Sequence, residues 1–314
     1  MSAVTGSLKG RSFTKLADWS RAELEAVLDL ADELKQARRD GDEPQLLAGR
    51  TIGLLFLKPS TRTRVSFAAG TAQLGGTALS FSGDELHLAR GETIRDTATV
   101  LSRYLDGIVI RTFAQEDVEQ LAEYASIPVI NALTDAAHPC QALADLMTIR
   151  ERRGQLDGLK LVYVGDGNNV CASLLVGAAS FGMHAVAATP AAYAPPERAV
   201  TLARERAAES GGSVELTDDV HAAAQGADVL YTDVWTSMGQ EAENERRLRD
   251  LAGYGIDAAL LREAGAQALV LHCLPAHYGE EITEEVVYGP QSAVFDEAEN
   301  RLHTQKALMA LIIG

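Results

Sequence analysis

The sequence holds few cysteines, and those it has form no familiar pattern. Cys140, Cys171 and Cys273 are odd in number, widely spaced and free of any C-x-x-C motif. No disulfide framework or metal site is therefore expected, and a reducing cytoplasm is the expected compartment. No apolar run is long enough to cross a bilayer. Met1-Ser2-Ala3-Val4 lacks the basic-then-apolar order of a signal peptide. Positive charge is also scarce: 28 Lys and Arg face 44 Asp and Glu, a formal net charge of −16. Such a surface repels nucleic acid and anionic membranes, so neither is an expected partner. It would repel an anionic substrate as well, so a phosphate-bearing ligand would need arginines clustered at helix starts.

Sequence repeats, low-complexity stretches and Pro/Gly-rich linkers are absent too. What is present is the balance of a soluble globular chain, 46% hydrophobic and 23% charged. A length of 314 residues favours two domains. Ser20 and Glu23 make a capping box, followed by an apolar face of Leu24, Val27, Leu28, Ala31 and Leu34 and a stop at Gly41. Short apolar runs then alternate with helical segments. Strands are expected at 51–57, 77–81, 107–111, 128–131, 160–165, 184–189, 213–216, 228–232, 268–271 and 293–295. Helices are expected at 62–74, 93–105, 117–125, 138–153, 169–181, 196–209, 218–224 and 297–313. This alternation implies an α/β protein: two domains, each a mostly parallel sheet flanked by helices. The division is expected near residue 150, with the closing helix, 297–314, packing back on the first domain.

Ligands of open parallel sheets bind beyond the carboxyl ends of the strands. Six polar clusters occupy such places: Lys58–Arg64, Arg111, His138–Gln141, Asp166–Asn169, Asp233–Gly239 and His272–Pro275. They imply an active site in a cleft between the two domains. Ser60-Thr61-Arg62-Thr63-Arg64 reads as a phosphate cradle, because Ser60 suits an N-cap and the following helix tip offers free N–H groups and partial positive charge. A capped helix with solvated arginines is the alternative. His138-Pro139-x-Gln141 places proline at the first helical position, with His138 and Gln141 able to reach one ligand; a histidine that merely caps a helix is the alternative. Cys273 has no adjacent base except His272, which points the other way along a strand, so the residues alone favour a buried filler thiol. Gly165-Asp166-Gly167 begins a dinucleotide fingerprint, but Val170 stands at the third glycine position. Asp233, Ser237 and Met238 could hold an amino acid's charged groups, or form a polar loop.

Together these clusters resemble the aspartate/ornithine carbamoyltransferase family. The likeness rests on Phe56-x-Lys58-x-Ser60-Thr61-Arg62-Thr63-Arg64, His138-Pro139-x-Gln141, Asp233-Val234-Trp235-x-Ser237-Met238-Gly239 and His272-Cys273-Leu274-Pro275, supported by Glu299-Asn300-Arg301-x-His303-Thr304-x-Lys306. The Ser-Met-Gly and His-Cys-Leu-Pro motifs mark its ornithine branch. The resemblance implies transfer of a carbamoyl group from carbamoyl phosphate to the δ-amine of L-ornithine, without a cofactor. It assigns the first domain to carbamoyl phosphate and the second to ornithine. Ser60, Thr61, Arg62 and Thr63 would bind phosphate with Arg111. His138, Arg301 and Thr63 would bond the carbamoyl oxygen, while Gln141 and the Leu274 carbonyl would hold the carbamoyl nitrogen. Asn169, Asp233, Ser237 and Met238 would bind ornithine's α-groups, and Asp233 with Cys273 would sit near its δ-amine. The family's usual trimers, or assemblies of trimers, imply a neighbouring loop near 82–90, with His87 as its phosphate-reaching residue. The rival readings are a sister transferase acting on aspartate, putrescine or acetylornithine, a dinucleotide-binding dehydrogenase or sensor, and a carbamoyl phosphate binder without activity.

Overall fold

Strands buried on both faces need no polar alternation, and the apolar runs of this chain fold accordingly. The computed structural model describes residues 6, 8–86, 91–237 and 241–314. The chain divides into two compact units, Met1–Ala144 with Glu299–Gly314, and Asp145–Ala298. Two helices span the division: Pro139–Arg153 and Val294–Ile312.

In the first unit, β1 (Thr51–Phe56), β2 (Thr77–Ser82), β3 (Gly107–Arg111) and β4 (Val129–Leu133) form a parallel sheet in the order β2-β1-β3-β4. The helices are α1 (Arg21–Asp40), α2 (Thr61–Gln73), α3 (Ile94–Leu101) and α4 (Gln115–Tyr124), followed by the spanning helix α5 (Pro139–Arg153). α1 starts at the Ser20–Glu23 capping box, ends at Gly41 in the left-handed region (φ 74°), and buries Leu24, Val27, Leu28, Ala31 and Leu34.

In the second unit, β5 (Lys160–Val164), β6 (His184–Ala188), β7 (Ser213–Thr217), β8 (Val229–Thr232) and β9 (Leu269–His272) form a parallel sheet in the order β7-β6-β5-β8-β9. The helices are α6 (Asn169–Ser180), α7 (Glu197–Ser210), α8 (Val220–Ala224), α9 (Asn244–Asp250), α10 (Ala258–Ala264) and α11 (Glu284–Val287), and then the spanning α12 (Val294–Ile312). Every residue of α6 after Asn169 is buried, which its run of Ala, Gly, Ser and Leu permits. Among the described residues, no helix is long and apolar enough to cross a membrane.

Strand order reverses beside β1 in one unit and beside β5 in the other. Each reversal opens a crevice at the strands' carboxyl ends. In the first it lies between the loops after β1 and β3, and in the second between those after β5 and β8.

One expected strand is absent. Residues 294 and 295 open α12 instead, with Ala293 just before it, and Ser292 makes an isolated bridge to Val270. A three-residue apolar run cannot distinguish a strand from a buried helix start. Here Ser292 Oγ accepts the Val294 N–H at 3.4 Å, and Asp296 and Glu297 place acid in the first turn, where the helix dipole favours it. The short helices α9, α10 and α11 were not foreseen, because α9 (NERRLRD) is almost wholly polar and all three span seven residues or fewer.

Candidate active site

In the first unit, the chain leaves β1 through Lys58 and enters α2 at Ser60. Buried Lys58 is ion-paired with Asp135 and lies 4.6 Å from the Phe113 ring centre, so it supports the loop from beneath. Ser60 is extended (φ −162°), and its Oγ accepts the Thr63 N–H at 3.3 Å. That cap leaves Thr61 and Arg62 exposed on the helix tip and turns Thr63 inward. Arg111 ends β3 in register with Phe56, the last residue of β1, and is buried.

Arg301 reaches this place from α12. It donates from Nη1 to Gln141 Oε1 at 2.6 Å and from Nη2 to Thr63 Oγ1 at 3.2 Å. With the Gln305 amide oxygen turned towards it, Arg301 also donates to that oxygen from Nε and Nη2, each at 3.0 Å, while the Gln305 nitrogen meets Ser66 Oγ. A guanidinium held at three places is fixed in orientation. His138 directly precedes α5 and is buried. Burial, then the charges of Arg301, Arg111 and Arg62, push its imidazole well below the usual histidine range. The three guanidiniums thus lie near enough to disfavour a charged ring. A neutral ring can donate a hydrogen bond without adding charge, and the cations near it favour an anion. Cys140 turns away: its thiol meets Asn131 O at 3.3 Å and burial raises it to about 12.

In the second unit, Asn168 caps α6 by accepting the Val170 and Cys171 N–H groups at 2.9 and 3.1 Å. Its amide nitrogen donates to Asp233 Oδ2 at 2.7 Å. The other oxygen of Asp233 accepts from Cys273 Sγ at 2.9 Å. Burial, then the Asp233 charge, push the Cys273 thiol well above its usual range. The sulfur is a neutral donor here, not a nucleophile. Asn169 opens α6 directly after this cap, and Ser237 lies on the loop after β8. Met238 and His87 lie outside the described residues.

Two supports escaped the sequence reading. Arg247 of α9 donates to Asp166 Oδ2 at 2.8 Å and to the Trp235 carbonyl at 2.9 Å, bracing the loop after β8. His272 is fully buried; its Nδ1 accepts the Leu274 N–H at 2.9 Å, which leaves the proton on Nε2 to meet Glu281 Oε1 at 3.0 Å. This holds Leu274 at φ 58°, a left-handed conformation that a leucine adopts only under constraint. No sequence signal marks either support: Arg247 and Asp166 lie on separate elements, and His272 and Glu281 are nine residues apart.

The Gly165-x-Gly167 pair has a structural explanation. A Cβ on Gly167 would stand 2.3 Å from Pro195 N and 2.6 Å from Tyr193 O. The close approach that this glycine permits is to the chain's own 193–195 backbone, which accepts the Gly167 N–H at 2.8 Å.

Arginines gathered near a buried imidazole in one unit, and a carboxylate–thiol pair in the other, suit an enzyme that transfers a small acyl group from phosphate. The chain is a carbamoyltransferase. Residues 11–151 match the carbamoyl-P binding domain of aspartate/ornithine carbamoyltransferase, and residues 157–312 match its Asp/Orn binding domain. The chain is 57% identical over 308 residues to an ornithine carbamoyltransferase of Symbiobacterium thermophilum, covering 98% of this chain and 99% of that one. Its fold superposes on ornithine carbamoyltransferase from Pyrococcus furiosus with a TM-score of 0.95 at 50% identity, covering 98% of each chain. An N-acetyl-L-ornithine transcarbamylase variant is more distant, with a TM-score of 0.87 at 34% identity over 96% of this chain and 100% of that one. The chain belongs to the aspartate/ornithine carbamoyltransferase family.

Proposed function

We propose that this chain transfers the carbamoyl group of carbamoyl phosphate to the δ-amine of L-ornithine, giving L-citrulline and phosphate. One observation carries the phosphate side of this reading: Arg62, Arg111 and Arg301 converge on a neutral His138 in a protein of net charge −16. The Ser237-Met238-Gly239 and His272-Cys273-Leu274-Pro275 motifs, with relatives of that activity above 50% identity, favour ornithine over other amines.

In this reading the first unit takes carbamoyl phosphate and the second takes ornithine. Ser60, Thr61, Arg62, Thr63 and Arg111 bind the phosphate; His87, from a neighbouring subunit, assists. The neutral δ-amine attacks the carbamoyl carbon. Negative charge then grows on the carbamoyl oxygen, where His138, Arg301 and Thr63 donate. Gln141 and the Leu274 carbonyl hold the carbamoyl nitrogen. The C–O bond to phosphate breaks, and the departing phosphate takes up the proton that the amine gives away. Asn169, Asp233, Ser237 and Met238 hold ornithine's α-groups, and Asp233 with Cys273 faces the δ-amine. That amine titrates near ~10.4 in water, so turnover rises on the alkaline side of neutrality. The working form is a trimer, or an assembly of trimers, in the cytoplasm, and its product feeds arginine biosynthesis.

Purified protein incubated with carbamoyl phosphate and, separately, ornithine, aspartate, putrescine and acetylornithine tests this directly. Citrulline as the main product is the expected result. Carbamoylaspartate or another carbamoyl amine in its place overturns the ornithine assignment, and no product with any amine overturns catalysis.

A further inference from the structure

A second pair of acids adjoins the Cys273–Asp233 pair, and the reaction above leaves it without a role. Asp145 on α5 and Glu297 on α12 are fully buried, and their side chains are hydrogen-bonded to each other. Two ionised carboxylates offer only acceptors, so this bond exists only while one proton is kept between them. Two further donors frame the pair. The Tyr231 hydroxyl, from β8, lies 3.1 Å from Glu297 Oε1 and 3.4 Å from Asp145 Oδ1. The His272 N–H donates to Glu297 Oε2 at 2.9 Å. That last bond ties the acids to the end of β9, one residue before Cys273.

We propose that Asp145 and Glu297 form a one-proton carboxyl pair that positions the His272–Leu274 segment and keeps a second negative charge away from Asp233. The positioning role rests on the reading that this unit takes ornithine; the shared proton does not. Two ionisable groups face the pair, Tyr231 on β8 and Cys273 after β9, with Asp233 bonded to the far side of that thiol. Neither a phenol nor a thiol can carry positive charge, so neither can neutralise a doubly ionised pair. Loss of the proton would set like charges against each other in a buried place and push the first turn of α12 away from α5. His272 would then lose the acceptor that fixes its backbone, and with it the left-handed turn at Leu274. Burial, then the charge of Asp145, hold Glu297 well above the ordinary carboxylate range. That direction agrees with a proton kept between the two acids.

Glu297→Gln reproduces the protonated state: its amide oxygen accepts the His272 N–H and its nitrogen donates to Asp145. This variant should keep the ornithine KM within about twofold of the parent. Glu297→Leu leaves the His272 N–H unpaired and should raise the ornithine KM by about tenfold or more, with little change for carbamoyl phosphate. Isotope-edited infrared spectroscopy supplies a readout independent of turnover. At neutral pH the parent should show the carbonyl stretch of a buried protonated carboxyl group, and Glu297→Gln should lack it. If Glu297→Leu does not fold, Asp145→Asn serves in its place: the infrared band should vanish while the ornithine KM holds. Absence of the band in the parent overturns the shared proton. Damage in Glu297→Gln equal to that in Glu297→Leu, or equal shifts in both substrates' KM, overturns the positioning role. A chain that shows the band but carbamoylates another amine would instead sink the ornithine reading and leave the proton pair standing.

Discussion

The Cys273 thiol and the Asp233 carboxylate form a single hydrogen-bonded unit, with sulfur donating to Oδ1 at 2.9 Å while Asn168 occupies Oδ2. The carboxylate is thereby aimed from both sides. Removing the thiol in Cys273→Ala should raise the ornithine KM and lower kcat, together by about tenfold or more in kcat/KM, with carbamoyl phosphate affinity nearly unchanged. Cys273→Ser keeps a donor and should be milder, yet still weaken ornithine handling more than carbamoyl phosphate binding. Steady-state kinetics with each substrate varied in turn decides this, and an unchanged ornithine KM and kcat in both variants contradicts it.

Arg301 is held by Thr63, Gln141 and Gln305. A lysine supplies the charge but not the planar fork. Arg301→Lys should therefore lose about 10²–10³ in turnover while the fold survives. Arg62→Ala, at the exposed helix tip, should also lose turnover by orders of magnitude, with unfolding midpoints close to those of the parent. Citrulline assays paired with urea titrations separate the two effects, and near-normal turnover by Arg62→Ala refutes the phosphate cradle.

Stability should fall in acid through two buried histidines. His303 is lowered from 6.5 to about 4 by burial, with the charge of Lys306 adding to it, and His138 is lowered in the same sense. Below 6.5 the unfolded chain binds protons that the folded chain refuses, so stability declines as pH falls and, for His303, levels off only near 4. Each such group contributes a slope of up to about 1.4 kcal/mol per pH unit inside its window. His303→Gln should flatten the acid limb of urea midpoints plotted against pH; a limb as steep as the parent's refutes the assignment.

Much of the fold was legible because fully buried parallel strands leave a simple trace. Gly107–Arg111 was read with its observed limits, since an apolar run ending in arginine has little other use. The same reading put Lys58–Arg64, Asn169 and Asp233 after strand ends and Arg111 at the end of one, which is where the fold has them. What stayed hidden depends on partners far apart in sequence. Arg247 sits in a helix without an apolar stripe, and its partner Asp166 is 81 residues away. The turn at Leu274 carries no glycine to announce it. Residues 293–295 misled because three apolar side chains suit either kind of element.

Gly167→Ala would drive a methyl group into the 193–195 backbone, which cannot move aside as a flexible side chain can. A loss of about 1–3 kcal/mol is expected, along with a displaced Asn168 and weaker ornithine binding. Chemical denaturation and calorimetry with ornithine measure the two. An alanine variant as stable as the parent would show that this loop yields.

Thr63, Gln141 and Arg301 must meet before the proposed phosphate-binding patch exists, yet Arg301 is encoded 160 residues beyond Gln141. On the ribosome, the four strands of the first unit emerge early, but their keystone cation comes only after the entire second unit has been translated. A nascent chain thus passes through a long interval in which the first unit lacks both that cation and the side chains of Lys306, Met309 and Ile313, on and just after α12, which lie against Gly70 and Gly107.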